Sequence, residues 1–216
     1  MPSMPVRPIS TTDAVVASLR EQILDGAIRP GARLPELELA ASYGVARPTV
    51  RAAIQTLCHE GLLVREPNRS AQVPTLTRKS VLDLFFVRIP LECLIVRQVI
   101  EREVALDGVR ASIARLESLT PDAGWSSVVD ADLGFHSALA ASVGSPRLLR
   151  LYASLTGEIE LCIAQLRPAW ITPANLAAEH RALLDVIEGG SAPEAEVRMT
   201  AHLQRAVHDL TGAEAA

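Results

Sequence analysis

The stretch LPELELAASYGVARPTVRAAIQTLCHEGLLVREPNRSAQV, residues 34–73, decides the fold of the N-terminal part of this chain. A short helix is predicted to begin near Pro35, and Gly44 supplies a tight turn before a longer helix that begins at Arg47 and ends at Gly61. Apolar side chains recur at a helical period in the longer helix. They predict one buried stripe: Val50, Ile54, Leu57 and Cys58.

Strand signals follow this helix, and one more helix precedes it. Residues 62–66 and 71–73 predict two strands joined by a turn at residues 67–70. Upstream, an amphipathic helix is predicted to begin at a cap supplied by Thr12 or Asp13. The order helix, helix, turn, helix, hairpin is that of a winged helix-turn-helix, whose third helix enters the DNA major groove.

Four arginines are placed where such a domain would contact DNA. Arg47 and Arg51 lie at the start of the third helix and are candidates for contacts to bases or phosphates, while Arg65 and Arg69 on the hairpin are candidates for flanking phosphates or the minor groove. The pattern alone leaves open a small helical domain whose arginines are only solvated. The domain is predicted to span residues 1–76.

The charge distribution agrees with a DNA-binding N-terminal domain. The chain has 216 residues, 49% of them hydrophobic, and a net charge of -4. Residues 1–78 carry nine arginines against seven acids, whereas residues 79–216 carry twelve basic and eighteen acidic residues. The N-terminal part is therefore slightly basic within an acidic protein, which is the sign that a DNA partner requires.

Membrane and secretory signals are not evident in the sequence. Residues 82–100 form the best apolar stretch, and it is broken by Arg88, Glu92 and Arg97. The first twelve residues lack the apolar segment of a signal peptide. Three widely spaced cysteines fit reduced, buried thiols. We therefore expect a cytoplasmic protein with no membrane partner.

From residue 77 to residue 216 the sequence predicts an all-helical bundle. Amphipathic periods recur with almost no strand signal, and glycine or proline separates them. The six predicted helices are Val81–Val104, Val109–Leu119, Ser126–Val143, Ser145–Leu166, Pro173–Ile187 and Ala192–Leu210. Their unequal lengths predict a bundle rather than a solenoid.

Histidines are the informative residues of the bundle. Asp132 and His136 are four residues apart on one helix face, and His180 and His202 lie on or beside the apolar stripes of two other helices. Side chains from three helices can converge inside a bundle and coordinate a divalent metal, for which Zn, Ni, Mn or Fe all suit nitrogen and oxygen ligands. Alternatively, each histidine makes a separate hydrogen bond in the core.

The N-terminal residues resemble the DNA-binding domain of GntR-type transcription regulators. The matching positions run through the first helix, the turn, the third helix and the hairpin, and they include Gly44-Val45, Val50-Arg51 and Asn68-Arg69. The family usually has Ser-Arg-Thr-Pro-Val-Arg-Glu-Ala at residues 46–53, where this chain has ARPTVRAA. Both arginines are retained but the hydroxyl at position 46 is lost, so Thr49 is a candidate for the phosphate contact.

The C-terminal residues resemble the FadR carboxyl-terminal effector domain, called FCD, in its metal-binding form. The resemblance rests on DLGFH at residues 132–136, Glu179-His180 and Met199-x-x-His202. It implies a divalent metal ion held by four ligands: Asp132, His136, His180 and His202. It also places Arg88 as a candidate for binding the anionic group of an effector, although Arg88 is equally placed to pair with Glu92 four residues on.

The two resemblances together imply a ligand-responsive transcription regulator. Such a protein is expected to bind a palindromic DNA operator as a homodimer and to sense a small carboxylate, an organic or sugar acid, at the metal site. A metal-dependent hydrolase or lyase is the alternative from another class, but no companion base or nucleophile motif is present. A regulator whose effector domain binds no metal is a third possibility. We therefore expect the chain not to be an enzyme.

Overall fold

The computed structural model describes residues 10–166 and 172–212. Three helices form the N-terminal part: α1 (Thr11–Leu24), α2 (Glu36–Tyr43) and α3 (Arg47–His59). The predicted caps of α1 are wrong, because Ser10 is the N-cap and its hydroxyl accepts from the backbone N–H of Asp13. Gly44 ends α2 in the left-handed conformation (φ 64°), as the predicted tight turn requires.

The strands are shorter than the sequence predicts, and one was missed. β1 (Arg33–Leu34) pairs antiparallel with β2 (Ala71–Gln72). The predicted strand at residues 62–66 is reduced to one bridge, in which Val64 and Gln72 exchange two backbone hydrogen bonds of 2.9 Å. Gln72 is therefore paired on both sides. Local alternation could not show that the segment before α2 would supply a strand partner.

Six helices form the rest of the described chain, and each overlaps its predicted helix. They are α4 (Arg78–Glu101), α5 (Asp107–Ser118), α6 (Trp125–Ser142), α7 (Pro146–Leu166), α8 (Pro173–Glu188) and α9 (Ala192–Gly212). The predicted break at Arg167-Pro168 lies outside the described residues. The predicted fold class, mainly α with an N-terminal helix-turn-helix and a C-terminal helical bundle, is confirmed. In the two described stretches every helix is too short or too polar to span a bilayer.

Helix α7 belongs to both hydrophobic cores. Leu161 and Ala164 pack into the core of the N-terminal helices, whereas Ile159, Cys162 and Ile163 pack into the core of the bundle. The two sets occupy different faces of the helix, as the helical period dictates. One rigid element thus connects the two halves of the molecule.

Polar contacts join the two halves around α7. Arg20 of α1 pairs with Glu160 of α7 at 2.8 Å and with Glu60, just after α3, at 2.5 Å. Asp25 accepts from the backbone N–H of Ser126 at the start of α6, at 2.7 Å. Gln165 bonds the backbone of the connection between β2 and α4. The N-terminal helices are therefore docked on the bundle through specific contacts.

Candidate functional site

The predicted DNA-contacting arginines converge on one acidic side chain. Arg47 and Arg51 from α3, and Arg65 from the segment after it, all lie 3.0–3.3 Å from the carboxylate of Glu36, the first residue of α2. The arginine side chains are 58%, 48% and 40% exposed, whereas Glu36 is 8% exposed. The hydrogen bond from Arg51 is the largest of the effects that lower the pKa of Glu36, so the carboxylate stays ionised.

Arg69 extends this basic surface. Its guanidinium pairs with Glu66 at 2.8 Å and is 58% exposed, and its backbone carbonyl accepts from Arg65 Nε at 3.2 Å. Arg47, Arg65 and Arg69 line an open groove of about 350 Å³ between α2, α3 and the turn before β2. Thr49 is half-buried on α3. The surface offers guanidinium groups with room for a ligand between them.

Three histidines meet inside the bundle. His136 of α6, His180 of α8 and His202 of α9 each place a ring nitrogen within 4.8 Å of the other two. The Nε2 atoms of His136 and His180 are 3.2 Å apart. Asp132, one turn before His136, has its Oδ1 3.4 Å from His180 Nε2. His180 is fully buried, which lowers its pKa well below the usual value and keeps the ring neutral.

Acceptors on the outer side of each ring determine the tautomers. Glu92 Oε2 lies 2.5 Å from His136 Nδ1, the carbonyl of Leu176 lies 2.7 Å from His180 Nδ1, and Glu179 Oε2 lies 3.4 Å from His202 Nδ1. Each acceptor attracts a proton to Nδ1, so in the neutral ring of His180 the lone pair lies on Nε2, facing His136. A cation or a proton between the Nε2 atoms of His136 and His180 would stabilise their close approach.

Two pairs of these ligand atoms have the spacing of neighbouring ligands on one metal ion. At metal–ligand distances of about 2.1 Å and angles of 90–110°, neighbouring ligand atoms are roughly 3.0–3.4 Å apart. The pairs His136–His180 and Asp132–His180, at 3.2 and 3.4 Å, match this range. Burial raises the pKa of Asp132 above its ordinary value, so a nearby cation would favour its ionised form.

Arg88 is a fully buried charge next to the histidines. Its Nε donates to Glu92 Oε1 at 2.6 Å, which uses one of its five donors, and its guanidinium carbon lies 5.1 Å from the ring centre of Phe85. Burial by itself would raise the pKa of Glu92, but His136 and Arg88 outweigh it and lower the pKa to about 2. Glu92 therefore links the arginine to the histidine cluster as an ionised bridge.

A narrow cavity borders the cluster. Arg88, Asp132, His136 and His202 line its polar side, and apolar residues of α4, α7, α8 and α9 line the remainder. The cavity volume is about 30 Å³, enough for two or three water molecules at ~10–15 Å³ each. In this conformation the site is polar at one end, apolar elsewhere and nearly closed.

Two family models match the chain in the order of its two halves. Residues 11–73 match bacterial regulatory proteins of the gntR family, and residues 83–205, more than half of the chain, match the FCD domain. The chain belongs to the GntR family, with an FCD domain. The predicted resemblances to the GntR DNA-binding domain and to the FCD domain are thereby confirmed, and the metal-binding form of the latter stays a prediction.

Relatives and solved structures agree with this family. The galactonate operon transcriptional repressor of Escherichia coli (strain K12) is 26% identical over 94% of this chain and 99% of its own length. The HTH-type transcriptional regulator YdhC of Bacillus subtilis is 39% identical over 38% of this chain and 37% of its own. A crystal structure of a transcriptional regulator GntR from Rhodococcus sp. RHA1 superimposes with a TM-score of 0.79, 29% identity, and coverage of 93% and 97%. These proteins are regulators, which confirms that no enzyme is to be expected here.

In this GntR protein the structure brings the predicted site residues into two groups. Arg47, Arg51 and Arg65 share Glu36, with Arg69 beside them, while Thr49 has no contact to this cluster among the hydrogen bonds and ion pairs of the described residues. The four predicted metal ligands and Arg88 surround one interior position: Asp132, His136, His180, His202 and Arg88. Arg88 pairs with Glu92, as one of its two interpretations predicted, and it also lines the cavity; its contact with an effector stays a prediction.

Sequence reasoning missed the contacts by which three acidic residues organise these groups in the GntR chain. Glu36 binds the arginines, Glu92 orients His136, and Glu179 approaches His202 and pairs with Arg205. Glu92 carried a signal, because an acidic residue on a buried helix face needs a partner. Glu36 carried none, since its partners lie eleven to twenty-nine positions further along the chain.

Proposed function

We propose that this protein is a metal-dependent transcriptional repressor that binds an operator as a homodimer and is controlled by a small carboxylate, a sugar acid of the aldonate class. The observation that carries the proposal is the facing pair of histidine Nε2 atoms, 3.2 Å apart, at the edge of a cavity that Arg88 also lines. A protein acting on DNA in this way works in the cytoplasm.

DNA recognition rests on the half-exposed arginines of α3 and of the segment after it. Arg47 and Arg51 begin a helix of the size that fits a major groove, and arginine forks match the acceptors of guanine and of phosphate. Arg65 and Arg69 stand beside them and would reach the flanking backbone, with Thr49 offering a hydroxyl to a phosphate. The Ala46 cap makes no side-chain hydrogen bond, Pro48 has no N–H, and the N–H of Thr49 donates to the Ala46 carbonyl, so among the first three residues of α3 the N–H of Arg47 would face a phosphate.

The metal would be held by His136, His180, His202 and Asp132. The acceptors on their outer sides hold the rings with Nε2 inward, and such outer contacts support metal affinity. Three nitrogens and one oxygen suit Zn, Ni, Mn or Fe. When bound, the ion supplies a positive charge and open coordination positions for a chelating hydroxy acid. Arg88 would bind the remaining anionic group through its unused donors.

The effector class follows from the cavity and from a relative. Its polar groups are cationic or metal-ligating, so they favour an anion with hydroxyl groups over an apolar ligand. The repressor of the galactonate operon matches this chain over nearly its whole length. A sugar acid is larger than the present cavity, and therefore its entry has to move the helices that line the site.

Helix α7 would carry that movement to the DNA-binding end. Ile163 lines the cavity, while Glu160 and Leu161 on the same helix contact the N-terminal helices. A ligand that displaces α7 binds the displaced arrangement of the helix more tightly than the original one. It therefore changes the fraction of protein molecules whose N-terminal helices fit the operator. Release of DNA on effector binding is the direction we propose.

The exposed face of α4 is the proposed dimer interface. Leu82, Phe86 and Leu94 are 40%, 78% and 42% exposed and lie at helical spacing along a helix of 24 residues. A large exposed aromatic within such a stripe is typical of a surface covered in an assembly. A second copy of this chain is the partner that two symmetric operator half-sites require.

The experiment starts from a duplex that the untagged protein itself selects from a random-sequence library. Binding to this duplex is followed by fluorescence anisotropy, with D-galactonate, D-gluconate and the uncharged sugar D-galactose as additions. We expect an aldonate to release the duplex, D-galactose to have no effect, and protein stripped with EDTA to ignore the aldonate. Failure to select any sequence would contradict DNA regulation, and a response that survives EDTA would favour histidines that contact the effector without metal.

A further inference from the structure

One carboxylate sits at the centre of the basic surface. Glu36 is almost completely shielded from solvent, yet it lies within 3.0–3.3 Å of three guanidinium groups from two separate segments. Arg51 approaches with both Nε and Nη2, so its plane is held in two places. The pairs join α2 to α3 and to the residues that lead to β2.

We infer that Glu36 is a positioning residue that gives the DNA-binding surface its sequence selectivity without contacting DNA. This inference rests on the DNA-binding function proposed above. Long arginine side chains lose considerable conformational freedom when they dock on a base edge. Glu36 restricts the side chains of Arg47, Arg51 and Arg65 before DNA binds, so less conformational entropy is lost on binding.

The same carboxylate weakens indiscriminate binding. Three guanidiniums that share one carboxylate present two net positive charges, and part of their hydrogen-bonding capacity is occupied. Non-specific DNA affinity comes almost entirely from phosphate neutralisation. Base recognition instead depends on the fixed geometry of an arginine fork. Removing the charge of Glu36 should therefore strengthen non-specific DNA binding and weaken sequence-specific binding.

Glu38 is a matched control for the position of Glu36. Both residues lie in the first turn of α2, where an acidic side chain also interacts with the helix dipole. Glu38 is exposed and belongs to none of the ion pairs with the described arginines of α3. A purely structural effect of charge at this helix end would appear in Glu38→Gln as well, whereas an effect on the arginines would not.

The experiment compares wild type, Glu36→Gln and Glu38→Gln in the full-length protein. Each binds two probes over a range of salt concentrations: the duplex selected by the wild type and a scrambled duplex of equal length. For Glu36→Gln we expect the ratio of the two affinities to fall about tenfold or more, the scale of one lost arginine–base pairing. We expect affinity for the scrambled duplex to rise and its log–log salt slope to steepen by about 1. Glu38→Gln should keep the wild-type ratio.

Several outcomes would overturn the inference. An unchanged ratio in Glu36→Gln would do so, as would an equal loss in Glu38→Gln. If Glu36→Gln does not fold, Glu36→Asp keeps the charge but shortens the side chain, and a wild-type ratio in that folded variant would also count against it. A wild type that selects no duplex at all would instead refute DNA regulation, so the two failures are distinguishable.

Discussion

Gly157 of α7 touches the backbone that follows α3: a Cβ atom placed on Gly157 would lie 1.8 Å from the carbonyl oxygen of Glu60. No side chain can occupy that space without moving one of the two segments. The contact lies at the junction where Arg20 also pairs with Glu60 and Glu160. Close backbone packing and an ion-pair network thus hold the N-terminal helices on the FCD domain.

Gly157→Ala is expected to loosen this junction. The clash is with backbone rather than with a flexible side chain, so we expect a loss of about 1–3 kcal/mol in the free energy of unfolding. The connection between β2 and α4, which joins the two halves, should also become more sensitive to limited proteolysis. Gly134→Ala, a helical glycine on α6 with open space around it, is the control and should stabilise by up to ~1 kcal/mol. Equal melting temperatures for the two variants would contradict the expectation.

Arg20→Met removes the cation that Glu60 and Glu160 share. Burial raises the pKa of Glu160 even with Arg20 present, so without Arg20 its carboxylate is left poorly compensated. We expect destabilisation of about 1–3 kcal/mol, reduced from the fully buried case because Arg20 is 29% exposed. In urea unfolding, Arg20→Met combined with Glu160→Gln should cost less than the sum of the single changes. Two observations would argue against the ion pair: free-energy losses of the two single changes that add up to that of the double change, or an equal loss of stability for Arg150→Met on the exposed side of α7.

Protein purified without a histidine tag is expected to contain near-stoichiometric divalent metal. His136→Ala and His202→Ala should lose it, because each removes one ligand of the proposed set. Elemental analysis measures the content, and EDTA should lower the melting temperature of the wild type by several degrees since metal stabilises the folded state. His208→Ala, an exposed histidine of α9, is the control. A metal-free wild type would remove the basis of the proposed site.

Arg88→Lys tests the proposed effector contact while keeping the buried positive charge opposite Glu92. Lysine cannot present the planar fork of arginine, so aldonate affinity measured by calorimetry on metal-loaded protein should fall about tenfold or more. Binding to the selected duplex should remain. Unchanged aldonate affinity would show that Arg88 serves only as the partner of Glu92.

Phe86→Glu is expected to disrupt the proposed dimer. In the dimer, a second copy of the chain would bury the charged side chain in the apolar stripe of α4, where it would have no ion-pair partner. The mass measured by light scattering at micromolar concentration should therefore shift toward that of the monomer. Affinity for the palindromic duplex should fall with it. Leu151→Glu on α7, also at an exposed apolar position, is the control. Dissociation by that change alone would place the interface on α7 instead.

The extent of the helices was predictable because helical periodicity is local information. Val50, Ile54 and Leu57 of the predicted stripe are buried as expected, whereas its fourth member, Cys58, is only half-buried. The six C-terminal helices lie where their apolar periods indicate. Periodicity placed each of the three histidines on or beside a face that a bundle buries, but it left open whether the three rings meet. Their grouping was implied by the resemblance to the FCD domain.

What the chain alone determined is which faces of which helices are apolar, and which carry arginine or imidazole. Tertiary structure decided the partners: Arg20 with Glu160, Gly157 against Glu60, and three arginines around Glu36. Such pairs join residues far apart in the chain, and an ion pair or a backbone contact depends on ångström distances that no periodic pattern contains. Periodicity specifies the direction in which a side chain points, and only packing specifies what it meets there.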